Sequence, residues 1–458
     1  MKSLAAIVLA AGKSTRMKSK KSKLLHEVGG QSVISRVCMS LSKCSLSEII
    51  VVCSHQMEPV MSEVRNVFSS AVKIDQGEAK GTGHAVLKGL EGLKGKNADV
   101  MVIAGDIPLI THETLNELHK VHIQSGSKAS FITMMCENPF GYGRVIRHDN
   151  RVIRITEESE LAEDEKDLKE CNSGIYIFSG EFLNAQINTL NSGNSKNEFY
   201  LTDLIEKASE FSDVATISAD ESEVTGVNTR AHLAGAEKFL NDKVVSVLMD
   251  MGVGFVAPSE VVIHDSVVIG MDTFIHKDVV LTGKTFIGED VVIEQGCIIT
   301  DSVIERGAQI KPYSVIEESY IGENSVIGPF ARLRPGNKIG EKCKIGNFVE
   351  MKKTCFGAGV KAGHLTYLGD ADVGDHTNIG AGTITCNYDG KNKFKTVIGH
   401  NVFVGSDSQF IAPVEIGDDV YIGTGTTVIK DVDEGSLVIN PKKQKVITPW
   451  TPPGKRGA

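Results

Sequence analysis

Bulky aliphatic residues return at every sixth position through much of the second half of the chain. The series from Ile263 to Ile299 keeps this period without a slip, and after single-residue slips it continues to Ile345. A second series runs from Ile398 to Val428. An amphipathic helix needs apolar returns at three and four residues, so the period excludes one. A sustained short period predicts a solenoid of stacked coils, each burying its apolar positions against its neighbours.

This repeat predicts an all-β domain over residues 252–458, with about three hexads in each coil and about nine or ten coils in all. The pattern resembles the left-handed parallel β-helix of hexapeptide-repeat acyltransferases. The left hand is what the resemblance implies, because ordinary parallel crossovers are right-handed. Such coils also serve as plain scaffolds or trimerisation modules, so the repeat alone does not give a function.

The first half has a different pattern, in which short continuous apolar runs alternate with segments of helical spacing. The runs are Leu4–Leu9, 49–53 and 100–104, each bounded by Gly, Ser or Asp. Buried strands that alternate with helices predict an α/β, Rossmann-like domain over residues 1–228 with a mostly parallel sheet. Its ligand crevice should lie at the carboxyl ends of the strands.

Between the two patterns, residues 229–251 have the spacing of one amphipathic helix that ends near Gly252. We expect this helix to link the domains and to carry no chemistry. Its predicted buried stripe is Leu233, Ala236, Leu240, Val244, Val247 and Met251.

Composition narrows the classes of function. The 458 residues carry 49 basic and 58 acidic side chains, a net charge of −9, which makes nucleic acid a poor candidate partner. The nine cysteines are scattered without metal-ligand spacing, which favours reduced thiols. The sequence contains no apolar run long enough to cross a membrane. We therefore expect a cytoplasmic protein with no membrane partner.

The loop after the first predicted strand is small and then basic. Its backbone N–H groups could approach a triphosphate, while Arg16 and Lys23 supply positive charge. It matches neither a Walker A loop nor a Gly-x-Gly-x-x-Gly loop. Alone, a turn with solvated cations explains it equally well. The candidate nucleotide-binding residues here are Leu9, Ala10, Ala11, Gly12, Arg16 and Lys23.

Two further loops carry polar residues. Gln76 could pair with a nucleobase edge through its amide, and Gly81 and Thr82 allow close backbone approach; a plain loop is the alternative. Gly105 and Asp106 follow a buried strand. A carboxylate at the edge of a crevice is a candidate ligand for Mg²⁺, with helix capping as the alternative.

These motifs resemble, in order, those of the sugar-nucleotide pyrophosphorylase family, and the likeness continues through residues 141–145, 197–203 and 226–228. The resemblance implies that Asp106 and Asn228 hold Mg²⁺, that Gln76 with Gly81 and Thr82 reads uracil, and that a sugar phosphate attacks UTP. Departures from the family pattern are Ser14, Ser22, Ala104 and Ser159. The implied sugar-binding residues are Gly143, Glu157 and Asn172.

In the second half, charged and aromatic residues concentrate between Phe330 and Asn392, where the aliphatic hexads are interrupted. A purely structural repeat has little use for this concentration. These motifs closely resemble a bacterial family of bifunctional enzymes that join an N-acetylglucosamine-1-phosphate uridyltransferase to a glucosamine-1-phosphate acetyltransferase. Together with the first half, the resemblance covers nearly the whole chain.

The resemblance implies that His364 is the general base that deprotonates the sugar amine attacking acetyl-CoA. A histidine pKa of about 6.5 suits that task at neutral pH. Arg334 and Lys352 would hold the phosphate of glucosamine 1-phosphate. A cation of the tail, Lys442 or Lys443, would contact CoA. The remaining implied residues are Tyr367 and Asn378 for the sugar, and Ala381, Asn387, Tyr388, Ser406 and Thr424 for acetyl-CoA.

We therefore expect a homotrimer that makes UDP-N-acetylglucosamine from glucosamine 1-phosphate, acetyl-CoA and UTP with Mg²⁺. A glucose-1-phosphate adenylyltransferase joins the same two folds but has no need for the residues around His364. A non-catalytic regulatory subunit of these folds should have lost Arg16, Lys23 and Asp106 from their motifs, and all three are present.

Overall fold

A computed structural model describes residues 3–12, 15–54, 57–95, 97–441 and 443–455. The chain divides into two compact units, one through Leu240 and one from Asn241 onward. The domain boundaries expected from sequence, at residues 228 and 252, stay a prediction. Two residues named above, Ser14 and Lys442, lie outside the described residues.

The first unit is built on one mixed sheet of nine strands among the described residues. Its main order is β11-β7-β10-β6-β1-β4-β5, with the β8–β9 hairpin attached through β10. β1 pairs in parallel with both β4 and β6, while β10 runs antiparallel to β6 and β7. The strands are β1 (Leu4–Leu9), β2 (Glu27–Val28) and β3 (Gln31–Ser32) as a separate pair, β4 (Leu46–Cys53), β5 (Val72–Asp75), β6 (Asp99–Ala104), β7 (Ala129–Met135), β8 (Arg144–His148), β9 (Arg151–Thr156), β10 (Glu170–Phe178) and β11 (Ala215–Ala219).

Helices cover both faces of this sheet, because its central strands are apolar on both sides. Ile7 and Val8 of β1 are fully buried in separate core clusters. The expected α/β fold is therefore confirmed. The helices are α1 (Val33–Ser42), α2 (Glu58–Val67), α3 (Thr82–Glu91), α4 (His112–Ser125), α5 (Gly180–Gln186), α6 (Asp203–Phe211), α7 (Glu221–Val224) and α8 (Arg230–Asp250), with short 3₁₀ turns at Thr15–Met17, Lys23–Leu25, Glu158–Glu160, Glu163–Glu165, Ile187–Thr189, Pro258–Glu260 and Pro453–Lys455.

Helix α8 occupies the expected connector, but its buried stripe differs from the predicted one. Val247 and Met251 are exposed, and Val245 with Leu248 are buried in the core of the second unit instead. The first part of the helix packs Ala236 into the core of the first unit. Because its two ends pack on different cores, one periodic stripe does not describe the whole helix.

The second unit consists of short strands stacked in parallel into three sheets, which form the three faces of a left-handed β-helix of hexapeptide repeats. Face one has eleven strands, face two ten and face three nine. Face one comprises Gly254–Phe255, Phe274–Ile275, Val292–Ile293, Gln309–Ile310, Val326–Ile327, Lys344–Asn347, Lys361–His364, Asn378–Ile379, Phe403–Val404, Tyr421–Ile422 and Leu437–Val438. Face two comprises Val262–Ile263, Val280–Thr282, Ile298–Thr300, Val315–Glu317, Arg332–Leu333, Glu350–Lys352, Tyr367–Gly369, Ile384–Cys386, Gln409–Ile411 and Thr427–Val428. Face three comprises Val268–Ile269, Phe286–Ile287, Val303–Ile304, Tyr320–Ile321, Lys338–Ile339, Cys355–Phe356, Ala371–Val373, Thr396–Ile398 and Val414–Ile416.

The inward positions of successive coils stack directly on one another. On face two, Leu333 pairs with Met351 and Met351 with Leu368, and all three are fully buried. The coils therefore continue through the region where the aliphatic hexads seemed interrupted. Residues 387–395, between the strands Ile384–Cys386 and Thr396–Ile398, leave the stack as a longer loop.

In the described part of the chain, no helix is long and apolar enough to cross a membrane.

Ile339→Ala tests how much the inward stack contributes to stability. Ile339 is fully buried, whereas its neighbour Lys338 on the same strand is exposed. We expect Ile339→Ala to lower the free energy of unfolding of the second unit by about 2–5 kcal/mol, because a buried cavity is left behind. Lys338→Ala should change it by less than about 0.5 kcal/mol. Urea unfolding followed by circular dichroism measures both; equal effects would contradict the inward-stack account.

Candidate active sites

The loops after β1 and β6 lie side by side at the carboxyl edge of the first unit's sheet. The Ala10 amide donates to the Val52 carbonyl at 2.7 Å, and the Gly105 amide donates to the Leu9 carbonyl at 2.9 Å. Leu9 itself pairs with Ala104, the last residue of β6. The backbone thus ties the small-residue loop to the loop that carries Asp106.

Lys23 brings the two predicted metal ligands together. Its ammonium contacts Asp106 Oδ2 and donates to Asn228 Oδ1 at 2.8 Å. Arg16 also donates to Asn228 Oδ1, at 3.1 Å, and the Val227 amide donates to the Asp106 carbonyl at 2.7 Å. The side chains of Lys23 and Asp106 are only 14% and 13% exposed. Two side-chain oxygens, Asp106 Oδ2 and Asn228 Oδ1, therefore lie against the Lys23 ammonium in a half-enclosed site.

Ser22, one of the departures from the family pattern, has a structural role next to this site. Its hydroxyl accepts a hydrogen bond from the Leu24 amide and caps the short turn that carries Lys23. The turn that carries Lys23 is therefore formed with serine at this position.

A second part of the crevice is formed by the residues expected to read uracil. Gln76 is 5% exposed and donates through Nε2 to the Gly81 carbonyl at 3.2 Å. Gly81 has a φ of +103°, and a Cβ there would lie 2.6 Å from the Phe199 carbonyl oxygen. Only glycine fits this position. The Thr82 hydroxyl accepts from the Leu201 amide at 3.1 Å, which joins the start of α3 to the loop before α6.

The three residues expected to bind the sugar also lie together. The Asn172 amide donates to the Gly143 carbonyl at 2.9 Å, and a Cβ at Gly143 would lie 3.8 Å from Glu157 Cδ. Glu157 accepts from the Thr202 hydroxyl at 3.0 Å, while burial raises the pKa of its carboxyl. The Asn172 side chain donates to the Tyr176 hydroxyl at 2.6 Å. This pocket presents amide and carboxylate groups suited to sugar hydroxyls.

In the second unit, His364 ends a strand of face one at the corner that leads to face two. It pairs with Asn347 of the preceding coil, and the next residue, Leu365, turns the chain with a φ of +48°. The Thr366 hydroxyl donates to the His364 carbonyl at 2.7 Å. The imidazole is exposed, so a substrate can reach it.

Three of the predicted acetyl-CoA residues continue this corner on later coils. Backbone hydrogen bonds connect the successive coils at this corner. The Gly382 amide donates to the Leu365 carbonyl at 3.0 Å, the Asp407 amide to the Ala381 carbonyl at 2.7 Å, and the Gly425 amide to the Ser406 carbonyl at 2.8 Å. Thr424 precedes Gly425 at the same corner. Because coils repeat at about 4.8 Å, the column extends roughly 14 Å from His364, enough for part of an extended cofactor.

A cluster of cations lies at the far edge of face two. The Lys393 and Arg334 side chains lower the pKa of Lys352, with Lys393 the larger influence. Arg334 also donates to Glu350 Oε1 at 3.0 Å. Three positive groups this close together form a candidate site for an anion. Lys393 was missed by the sequence analysis; only its place in the loop that interrupts the hexads, 387–395, could have indicated it.

Asn387 and Tyr388, two further residues predicted from the sequence, fix the loop that carries Lys393. Asn387 donates to Asp370 Oδ2 at 2.6 Å, and the Asp370 amide donates to the Lys352 carbonyl at 2.9 Å. Tyr388 forms an isolated antiparallel bridge with Lys393. The loop thus brings Lys393 back over the strand that ends in Lys352.

Tyr367 contacts this same region, whereas Asn378 does not join His364 at its corner. A Cβ at Gly369 would meet both the Tyr367 hydroxyl and Asn387 Nδ2. Asn378 pairs with Lys361, at the opposite end of the His364 strand. At about 3.3 Å per residue, the histidine corner and the cation cluster lie roughly 10 Å apart across face two.

Among the described residues, no group of three or more His, Cys, Asp or Glu side chains could hold a metal ion. All nine cysteines are free thiols, seven of them buried. Asp106 and Asn228 together therefore supply one carboxylate and one amide oxygen, fewer than a complete protein cage.

Family models match both units. A model described as the MobA-like NTP transferase domain matches residues 6–150, one described as the GMPPB C-terminal domain matches 259–337, and one for six repeats of the bacterial transferase hexapeptide matches 395–430. The fold and the two sites thus define a nucleotidyltransferase joined to a hexapeptide-repeat transferase.

Similar proteins cover the chain almost from end to end. It is 43% identical over 443 residues to "Bifunctional protein GlmU" of Pelobacter propionicus, with 96% of each chain covered. It is 43% identical over 450 residues to the protein of that name from Trichlorobacter lovleyi, and 42% identical over 447 residues to that from Clostridium novyi, with 97% of each chain covered. The chain belongs to the GlmU family and is a bifunctional uridyltransferase and acetyltransferase.

Proposed function

We propose that this protein makes UDP-N-acetylglucosamine in two reactions, one in each unit. The second unit acetylates glucosamine 1-phosphate with acetyl-CoA, and the first unit then joins the product to UTP and releases pyrophosphate. The observation that carries this proposal is the presence of two separate sets of reactive side chains, one in each unit. One set is Lys23 with Asp106 and Asn228; the other is His364 with the cation cluster of Arg334, Lys352 and Lys393.

Neither alternative fits as well. The reaction of a glucose-1-phosphate adenylyltransferase does not require an exposed histidine at the corner that continues to Ala381, Ser406 and Thr424. A regulatory subunit has no use for two cations and a carboxylate held within hydrogen-bond distance at a crevice. Membership of the GlmU family, with nearly the whole chain covered, favours the bifunctional enzyme over both.

In the uridylyl transfer, a phosphate oxygen of N-acetylglucosamine 1-phosphate attacks the α-phosphorus of UTP, and the bond to the β-phosphate oxygen breaks. The residues after β1 approach the triphosphate through their backbone, and Arg16 with Lys23 neutralises the charge that develops on the leaving pyrophosphate. Gly143, Glu157 and Asn172 position the sugar. No covalent enzyme intermediate is required.

The donors at Asp106 and Asn228 fit Mg²⁺. Both are hard oxygen ligands, and both already face one positive charge, the Lys23 ammonium. Mg²⁺ commonly takes one or two protein oxygens and completes its shell with phosphates and water. When bound, the ion would neutralise phosphate charge and hold the nucleotide and the sugar phosphate in line.

In the acetyl transfer, His364 accepts a proton from the sugar amine as the nitrogen attacks the thioester carbonyl. The tetrahedral adduct then collapses and CoA leaves as a thiolate. The cation cluster of Arg334, Lys352 and Lys393 holds the sugar phosphate, and Tyr367 and Asn387 lie over the sugar. Acetyl-CoA extends along the corner of Ala381, Ser406 and Thr424, whereas Tyr388 lies in the loop of the cation cluster.

We also propose a homotrimer in the cytoplasm. The rings of Tyr313, Phe330 and Phe348 stack at 5.3 and 5.4 Å along the corner that continues to Leu365, and all four side chains are 46–62% exposed. An exposed apolar ridge of this kind, beside His364, is typical of a protein–protein interface. A second copy can supply it and bring its own cation cluster to the histidine corner. Free thiols, UTP and acetyl-CoA suit the cytoplasm.

Two partial reactions test the function. Release of CoA thiol from glucosamine 1-phosphate and acetyl-CoA reports on the second unit, and pyrophosphate release from UTP and N-acetylglucosamine 1-phosphate reports on the first. We expect His364→Ala to reduce only thiol release, by about 10²–10⁴-fold. Asp106→Ala should abolish only pyrophosphate release. Intact thiol release in His364→Ala would show that the histidine is not the general base.

Lys393→Ala tests the phosphate cluster. Loss of one charge-assisted hydrogen bond of about 1.5–3 kcal/mol should raise the KM for glucosamine 1-phosphate about ten- to hundredfold, with little change in the KM for acetyl-CoA. Lys391→Ala removes the same charge from the same exposed loop and serves as the control. If both variants raise the KM equally, the effect is one of net charge and Lys393 does not contact the phosphate.

A further inference from the structure

Gln76 has both of its amide protons engaged inside the protein. Its Nε2 lies 3.2 Å from the Gly81 carbonyl oxygen and 3.3 Å from Nδ1 of His84. A carbonyl oxygen can only accept, so the amide group that faces it is the NH₂. The second proton then points at the imidazole, which must accept it on an unprotonated Nδ1.

This arrangement leaves the other end of the amide for a ligand. In the described part of the chain, no hydrogen bond engages Gln76 Oε1, while the residue as a whole is 5% exposed. A carbonyl oxygen is an acceptor only. It therefore matches a base edge that donates at N3, as uracil does, and opposes one that accepts at N3, as cytosine does.

We propose that His84 is a positioning residue for nucleotide specificity: it fixes the Gln76 amide so that its oxygen meets the N3–H of uracil and rejects cytosine. This inference rests on the proposed function, in which Gln76 reads the base of UTP. His84 acts through Gln76 and needs no contact with the nucleotide.

The surroundings of His84 hold its ring in place. It belongs to the first turn of α3, which begins at Thr82 directly after Gly81 with its φ of +103°. The Phe199 ring lies 6.5 Å away, centroid to centroid. A cavity of about 90 Å³ also borders the ring. The ring is thus fixed on the Gln76 side and has spare room beside it.

The charged groups around His84 favour the neutral form that the arrangement needs. Burial is the main cause that lowers the pKa of His84, and the nearby ammonium groups of Lys88 and Lys80 lower it further. Glu91 and Glu78 oppose this effect but do not cancel it. Protonation at acidic pH would place an N–H against the Gln76 NH₂. Two facing donors would repel each other and displace the amide, so that its oxygen is no longer held toward the N3–H of uracil.

Two substitutions separate this role from simple packing. His84→Phe keeps a ring, has room beside it, and removes the acceptor. His84→Asn keeps an acceptor, because the Asn Oδ1 can reach the position of Nδ1, and it does not titrate. The measured quantity is kcat/KM for UTP relative to CTP, from pyrophosphate release with N-acetylglucosamine 1-phosphate and the full-length protein.

We expect His84→Phe to lower the preference for UTP about three- to tenfold, mainly through KM, as for loss of one neutral hydrogen bond. His84→Asn should retain the preference. In the wild-type protein the KM for UTP should rise as the pH falls below the lowered pKa of His84, and this rise should be absent in His84→Asn. In a Gln76→Ala background, His84→Phe should have no further effect on the ratio.

The inference is overturned if His84→Phe lowers kcat/KM for both nucleotides equally, or if His84→Asn loses the preference. Should His84→Phe fail to fold, the pH profiles of wild type and His84→Asn decide alone, and identical profiles overturn the inference. The proposed function fails separately, if the wild-type protein releases no pyrophosphate from UTP and N-acetylglucosamine 1-phosphate. If Gln76→Ala leaves the UTP to CTP ratio of an active enzyme unchanged, Gln76 does not read the base and the inference is overturned. If Gln76→Ala changes the ratio while His84→Phe does not, only the role of His84 is lost.

Discussion

The second unit depends on one constraint, the direct stacking of inward apolar side chains from coil to coil. Each coil is too small to bury its own core and is stable only against its neighbours. The inward residues from Ile275 to Phe410 are almost without exception inaccessible to solvent. This constraint fixes the spacing of the coils, so side chains far apart in sequence form straight columns on the surface. The corner that carries Leu365, Ala381 and Ser406 and the apolar ridge of Tyr313, Phe330 and Phe348 are both consequences of that alignment.

In the first unit, the candidate site residues are positioned by the ends of the strands. Its parallel strands β1, β4 and β6 end at one edge of the mixed sheet, and the loops that follow them meet there. The Lys23 ammonium joins the loop after β6 to the loop before α8 through Asp106 and Asn228. Without substrate, this cation balances a carboxylate that would otherwise face a crevice unpaired. In the proposed reaction, phosphates would replace the contacts of Lys23, and Mg²⁺ would replace those of Asp106 and Asn228.

Most of the fold could be predicted from the sequence, because each architecture has its own period. Strands β1 and β6 were located within a residue or two, and the six-residue repeat indicated the β-helix. The stripe of α8 was predicted wrongly at Val247 and Met251, since a sequence pattern cannot tell that one helix packs on two cores. The hexads between Phe330 and Asn392 seemed interrupted only because other residue types replace the bulky aliphatic ones. Met351 and Ala362 take the inward positions there, and the coils continue.

The site residues were named largely through family motifs, and the structure groups most of them. It also shows two contacts that no motif revealed. Lys393 reaches Lys352 only because residues 387–395 leave the coil and fold back, and His84 meets Gln76 only because Gly81 turns the chain with a positive φ. Both depend on loop conformation, which has no period. The separation of the histidine corner from the cation cluster, at opposite edges of face two, likewise follows from where the corners fall.

The central claim is that one chain carries two separate catalytic centres that act in series. Complementation tests it most directly, with glucosamine 1-phosphate, acetyl-CoA and UTP supplied together and UDP-N-acetylglucosamine measured. The His364→Ala and Asp106→Ala proteins should each form almost none alone. An equimolar mixture should restore its formation, because the acetylated intermediate made by one protein is used by the other. A mixture that stays inactive while each protein retains its own partial reaction would contradict the account.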